Sequence, residues 1–241
     1  VGCINEATTT LTRAGSGAAV LRRGADREPR VAPVGLREGM EACLRQLGPT
    51  RRWPIRVKVR VWLSAALARP FLVGPVRGLK TSSEAHTLAR ASASAATGLA
   101  SPCDVQLEGW PEHARCLAVA VEADILRMVK EVVGQHGGVL SSLRPWWAHA
   151  LSLALAESPG TRLLAVEEPD ALTVLGGPAG EFDTAMTVRP PPTEPEQEAL
   201  LARMRFGQEI DGGAAKRVRF QGGLFATPAM GLASTPAKSD A

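Results

Sequence analysis

Ile55-Arg56-Val57-Lys58-Val59-Arg60-Val61-Trp62-Leu63 decides how this chain is read, because every second residue is apolar over nine positions. A period of two puts Ile55, Val57, Val59, Val61 and Leu63 on one face of a strand and Arg56, Lys58 and Arg60 on the other. A turn over 64–69 leads to a second strand at 70–73. Thr81-Ser82-Ser83-Glu84 has the form of a capping box, in which the Thr and Glu side chains satisfy free backbone donors at a helix start. The helix it opens runs to Gly98, with Ala85, Leu88, Ala89 and Ala96 expected on its inner face. A strand pair follows at 105–108 and 115–121. The second is apolar on both faces, which predicts a central strand covered on both sides. Residues 124–136 carry Ile125, Met128, Val129, Val132, Val133 and His136 on one helical face before Gly137-Gly138 ends the helix. A closing strand at 139–143 completes an α/β unit, with residues 55–145 expected to form one mixed sheet and the helices 82–97 and 124–136 packed on it.

Upstream, strands are expected at 8–13 and 18–23 around Gly15-Ser16-Gly17. An amphipathic helix at 36–47 presents Leu36, Met40, Cys43, Leu44 and Leu47 and stops at Gly48-Pro49. Downstream, a helix over 146–156 is followed by a break at Glu157-Ser158-Pro159-Gly160. A three-strand meander at 162–167, 171–176 and 182–188 comes next. A helix from about 194 to 208 and a short strand at 216–220 follow it. Residues from 230 onward are small and polar and are expected to be disordered.

The 241 residues are enough for one large domain or two small lobes, and the 45% hydrophobic and 22% charged content is ordinary for a globular protein. Net charge is +4, but residues 1–60 carry twelve Lys/Arg against five Asp/Glu, while 61–210 carry twelve against seventeen. A basic front end attracts anionic partners. No aromatic residues interleave with the basic ones as a platform for stacked bases requires, so nucleic acid is the disfavoured partner. Cys3, Cys43, Cys103 and Cys116 lack metal-ligand spacing and read as free thiols in a reducing compartment. No apolar run spans a bilayer and no signal peptide pattern is present, so the expected location is cytoplasmic. The chain opens on Val1, as a fragment or processed chain does.

The element order reads as two lobes of one ancestral unit. It resembles the actin-like ATPase fold, in which each lobe is built on a ribonuclease H-like core. Val61-Trp62-Leu63-Ser64 with Arg69, the strand from Cys116 to Val121 leading into a helix, and Leu143-Arg144-Pro145 resemble the actin-like platform proteins of type IV pilus and type II secretion machines, PilM-like and GspL-like. The resemblance covers roughly residues 55–190 and implies a first lobe at 1–157, an abbreviated second lobe at 158–229 and a tail at 230–241. It also implies nucleotide held by a glycine turn with an aspartate in the first hairpin of each lobe, plus a Gly-Gly segment. The first-lobe turn, Arg13-Ala14-Gly15-Ser16-Gly17, has no aspartate. The second, Glu167-Glu168-Pro169-Asp170, has no glycine, and Pro169 removes a backbone donor. Only Gly222-Gly223, with Pro228 following, is similar to the adenosine-side segment, so it is the one residual nucleotide-binding candidate.

Glu167, Glu168, Asp170, Glu181 and Asp183 form an acidic group that fits a solvated edge better than a two-metal nuclease site, whose carboxylates converge from several strands. His86, His113, His136 and His149 are scattered, and no G-x-S-x-G elbow accompanies them. Trp146-Trp147 reads as a plug between lobes or, alternatively, a partner anchor. Arg56, Lys58 and Arg60, preceded by Arg51 and Arg52, can follow a row of carboxylates or phosphates; a solvated edge strand guarded by its charges explains the same pattern. These features point to a non-catalytic assembly scaffold with no metal and no cofactor. It works through protein partners and meets a membrane only through a complex. The rival reading is a nucleotide-binding ATPase-like protein of the same fold; a weaker rival is a nucleic-acid-binding module.

Overall fold

The structure is a computed structural model that describes residues 2–4, 8–12, 18–22, 33–46, 51–52, 55–56, 58–100, 102–109, 114–168, 170–177, 181–207 and 216–219. In chain order these form β1 (Gly2–Ile4), β2 (Thr8–Thr12), β3 (Ala18–Arg22), α1 (Pro33–Gln46), β4 (Arg51–Arg52), β5 (Ile55–Arg56), β6 (Lys58–Leu63) and β7 (Ala68–Val73). Then come α2 (Ser82–Thr97), β8 (Cys103–Glu108), β9 (Cys116–Glu122), α3 (Ala123–Gln135), β10 (Val139–Pro145) and α4 (Trp146–Glu157). The last five are β11 (Leu163–Glu167), β12 (Leu172–Gly176), β13 (Thr184–Val188), α5 (Glu194–Gly207) and β14 (Lys216–Arg219).

One construction is used twice. In the first sheet, ordered β10-β6-β1-β2-β3, three successive strands pair antiparallel, and β6 returns after α1 parallel to β1. The second sheet, ordered β13-β12-β11-β14, repeats this: β11, β12 and β13 pair antiparallel, and β14 returns after α5 parallel to β11. The first sheet adds β10 beyond β6, also parallel, and the second has no counterpart among the described residues.

Between β6 and β10 the chain inserts a separate antiparallel sheet, β7-β9-β8. The single mixed sheet expected over 55–145 is therefore divided: β6 and β10 belong to the first sheet, β7, β9 and β8 form their own, and β5 pairs with β4. The cause is a tight turn after β6, in which the Leu67 and Ala68 amides both donate to the Ser64 carbonyl at 3.0 and 2.9 Å. It reverses the chain, so β7 leaves β6 and starts its own ladder. β9 lies at the centre of that sheet and is covered on both sides. Ala118 and Ala120 pack toward Phe71, Ala89 and Ala93, while Leu117 packs toward Trp147 and Leu151.

The capping box at α2 forms as read: Thr81 Oγ1 accepts the Glu84 amide at 3.2 Å and Glu84 Oε2 accepts the Thr81 amide at 3.3 Å. The buried face of α2 is Ala85, Ala89 and Ala93, a spacing of four that turns Ala96 out to solvent. At the other end Arg69 donates to the Thr97 carbonyl, a cation placed on the negative end of the helix.

On β6 the alternation holds: Val59, Val61 and Leu63 are buried, Lys58 and Arg60 exposed. The buried face meets Leu36, Met40 and Leu44 of α1 and Ile125, Val129, Val132 and Val133 of α3. Arg37 and Glu131 join the two helices outside at 2.7 Å. Helix α4 is rich in Leu and Ala because neighbours pack on most of its surface, leaving Ser152, Ala156 and Glu157 exposed. Trp147, Ala150, Leu151 and Ala154 share one core with Ala65, Ala66 and Leu117 on one side and Leu164, Val166, Leu175 and Val218 on the other. The second sheet buries its opposite face under Leu201 of α5, which is why β12 is buried along its whole length. None of the helices searched among the described residues is long and apolar enough to cross a membrane.

Candidate functional site

Two turns meet where the sheets adjoin. The first, Ser64–Ala66, follows β6; the second, Glu168 to Asp170, joins β11 to β12. The Ser64 hydroxyl lies 3.0 Å from both Asp170 carboxylate oxygens and accepts the Ala66 amide at 3.0 Å. Glu168 Oε2 accepts the Ala65 amide at 2.9 Å, and the Glu168 amide donates to the Ala171 carbonyl at 2.8 Å. Ser64 is 0% exposed, Glu168 3% and Asp170 9%. Burial pushes Glu168 up to about 8, against the Ala65 hydrogen bond and helped by the nearby Asp170 charge. Burial likewise pushes Asp170 up to about 6, against the hydrogen bond from Ser64.

This corrects the reading of a solvated acidic edge. Glu181 and Asp183 are exposed and Glu167 is half-buried, but Glu168 and Asp170 point into the junction. A Glu-Glu-Pro-Asp turn looks solvent-facing in sequence, because its partner turn lies about a hundred residues earlier and has no charge to advertise it. Chemically, the chain's own carboxyl groups occupy a backbone N–H and a hydroxyl of the kind that cradles phosphate.

The other candidates are dispersed. Gly222, Gly223 and the turn at 13–17 lie outside the described residues, as does the tail from 230 onward. Arg56 sits on β5, which pairs with β4 rather than continuing into β6. Lys58 and Arg60 are exposed, yet β6 is no edge strand: it pairs with β1 on one side and β10 on the other. Trp147 is 2% exposed with its indole N–H donating to the Ala68 carbonyl at 2.8 Å, so it is a plug and offers nothing to a partner.

Trp146 is half-buried in an aromatic cluster that sequence reasoning missed. Its ring meets Trp62 edge-on at 6.2 Å, and His149 lies 4.8 Å from Trp62 and 5.3 Å from Trp146. Burial, and then the Arg144 guanidinium, hold His149 below its ordinary value. The clue available in sequence was Trp62 at the end of the basic row, which breaks the charge pattern with a ring. Cys103 and Cys116 are free thiols, both pushed up by burial. No group of three His, Cys, Asp or Glu able to hold a metal occurs among the described residues.

Two clefts flank the central sheet. One of about 330 Å³ lies between β8–β9 and the ends of β6 and β10, lined by Leu63, Val105, Val119, Leu126, Leu143 and Arg144 among others. Another of about 450 Å³ has Leu117, Leu155, Leu164 and Phe182 in its floor and Glu108, Arg115, Arg162 and Glu181 about it.

Among solved structures, a protein of unknown function from Bacteroides thetaiotaomicron with an actin-like ATPase fold superposes with a TM-score of 0.54 at 9% identity, over 95% of this chain and 83% of that one. The fold is actin-like. The PilM–PilN type IV pilus biogenesis complex contains a chain that matches with a TM-score of 0.57 at 14% identity, over 90% of this chain and 80% of that one. The cytoplasmic domain of EpsL, an inner-membrane component of the Vibrio cholerae type II secretion system, matches over 91% of this chain and 81% of that one at 14% identity, with a TM-score of 0.49. No protein-family model matches the sequence, and no curated protein does.

Proposed function

We propose that this protein is an assembly platform of a pilus or secretion inner-membrane complex, working through protein contacts at the cytoplasmic side and turning over no nucleotide. Its first actin-like lobe is residues 1–157 and its reduced second lobe 158–229. The likeness to a chain of the PilM–PilN complex supports the setting. One observation carries the non-catalytic part: Glu168 and Asp170, at the turn where the resemblance places the second phosphate loop, are hydrogen-bonded to Ala65 and Ser64. A triphosphate entering there would lose those donors to carboxyl groups already in place and meet the charge of any carboxylate it ionises.

Two measurements test the reading. Phosphate release from ATP by the purified protein is expected at background. Turnover that vanishes in Asp170→Ala would overturn the non-catalytic part, whereas binding without turnover agrees with it. A tagged chain, crosslinked in its host and purified from membranes, is expected to carry pilus or secretion components. Their absence would overturn the setting.

A further inference from the structure

The face of the first sheet opposite α1 and α3 has a composition the sequence did not reveal. In the parallel register of β6 and β10, Lys58 stands beside Val139, Arg60 beside Ser142 and Trp62 beside Arg144. Neighbours in register point to the same side of a sheet. Lys58, Arg60 and Arg144 are exposed, and Val139 is 42% exposed. No ion pair joins any of the three cations to an acid among the described residues. Asp104, which shares a cleft with Arg144, is held by Arg90 at 3.1 Å. At one end of this cationic face stands the half-buried group of Trp62, Trp146 and His149.

We propose that this face of β6 and β10 docks an acidic, extended segment of a partner protein, with an apolar side chain of that segment resting on the Trp62–Trp146–His149 group. The proposal rests on the platform reading and names its contact surface. Alternate residues of an extended strand are about 6.8 Å apart, and adjacent strands about 4.8 Å. Carboxylates at alternate positions of a docked segment therefore match Lys58 and Arg60, and a third reaches Arg144 on the neighbouring strand. Charge also selects the class of partner. Duplex-binding proteins commonly neutralise about six to ten phosphates, and three cations fall short of that. The rings are packed on one another, edge-on and tilted, so they present rims rather than the free faces on which bases stack.

The test uses the full chain and a fluorescein-labelled heptapeptide with glutamate at alternate positions and two leucines at its end. Its glutamine counterpart and a single-stranded oligonucleotide serve as comparisons, read by anisotropy. Three exposed charge pairs are together worth about a tenfold preference for the glutamate peptide. The expected result is that preference, lost in the triple variant Lys58→Glu, Arg60→Glu, Arg144→Glu, whose melting temperature stays within a few degrees of the parent. Equal binding of the two peptides, no binding, binding that survives the triple reversal, or tighter binding of the oligonucleotide would each overturn the proposal. Crosslinking in the host separates this from the broader reading. If parent and triple variant capture the same pilus or secretion components, this face is excluded and the platform stands. If the parent captures none, the platform reading itself falls.

Discussion

Ser64 and Asp170, 106 residues apart, meet at 3.0 Å, with the hydroxyl within hydrogen-bonding distance of both carboxylate oxygens. Glu168 meets the amide next to Ser64, so one serine-led turn receives two acids from the other sheet. The acids stand between layers of apolar side chains, and both have proton affinities raised by burial.

That raising fixes how stability depends on pH. Glu168 rises from 4.5 to about 8 and Asp170 from 3.8 to about 6, so between these limits the folded chain holds protons that the unfolded chain has released. Stability is fullest below about pH 4 for these groups, falls as pH rises toward 8, and levels above it. Glu168→Gln keeps an acceptor for the Ala65 amide and removes the charge. Urea unfolding at pH 5, 7 and 9 should show the parent losing on the order of a few kcal/mol and the variant losing less. A parent whose stability rises across that range would contradict the buried, proton-holding junction.

Trp147 fills the space between β7, β9 and the second sheet, with its N–H on the Ala68 carbonyl. Trp147→Ala is expected to cost about 3–5 kcal/mol, as large-to-small core changes do. Trp147→Phe, which keeps most of the volume and loses the hydrogen bond, is expected to cost about 1–3 kcal/mol. Chemical denaturation of both variants gives the comparison, and equal losses would mean that filling the space contributes nothing beyond the hydrogen bond.

Gly177 closes the loop between β12 and β13. A Cβ there would strike the Glu181 carbonyl and come within 2.8 Å of the Asp183 amide, backbone atoms that cannot swing away. Gly177→Ala should destabilise by about 1–3 kcal/mol. Gly160→Ala has nothing within 4 Å of the new carbon and should stay within about 0.5 kcal/mol of the parent. The pair makes a matched thermal-melting experiment.

Thr81→Ala removes the acceptor of the Glu84 amide and half of the reciprocal cap. A loss of about 0.5–2 kcal/mol is expected, and native-state hydrogen exchange should localise it to the first turn of α2. Uniform loosening of the whole chain would instead show that α2 does not open separately.

These elements show what sequence carries. The capping box, the doubly apolar β9 and the alternation of β6 are local patterns, and local physics writes them within a few residues. β1 escaped because Gly2–Ile4 is three residues long, too short for any period, although it lies in the interior of the first sheet. Which sheet β7 joins depends on a turn whose hydrogen bonds are backbone to backbone, so no side chain reports it. The Ser64–Asp170 contact and the Trp62–Trp146–His149 group join residues that only the finished fold brings together. The sequence showed the missing glycine and aspartate of the phosphate turns. It had no means to show that Glu168 and Asp170 turn inward.

Helix α4 gives the molecule no seam. Its Trp147, Ala150, Leu151 and Ala154 share one core with residues of both neighbouring sheets, and Lys216 of β14 reaches back to Glu157 at 2.7 Å. A cut after residue 157 would leave Trp147, Ala150, Leu151 and Ala154 in water on one fragment and Leu164, Val166, Leu175 and Val218 on the other. The two halves should therefore melt together in a single transition, and truncations aimed at one half should yield aggregates rather than a smaller folded protein. A partner bound on the first half would then be carried by a unit that unfolds together with the second.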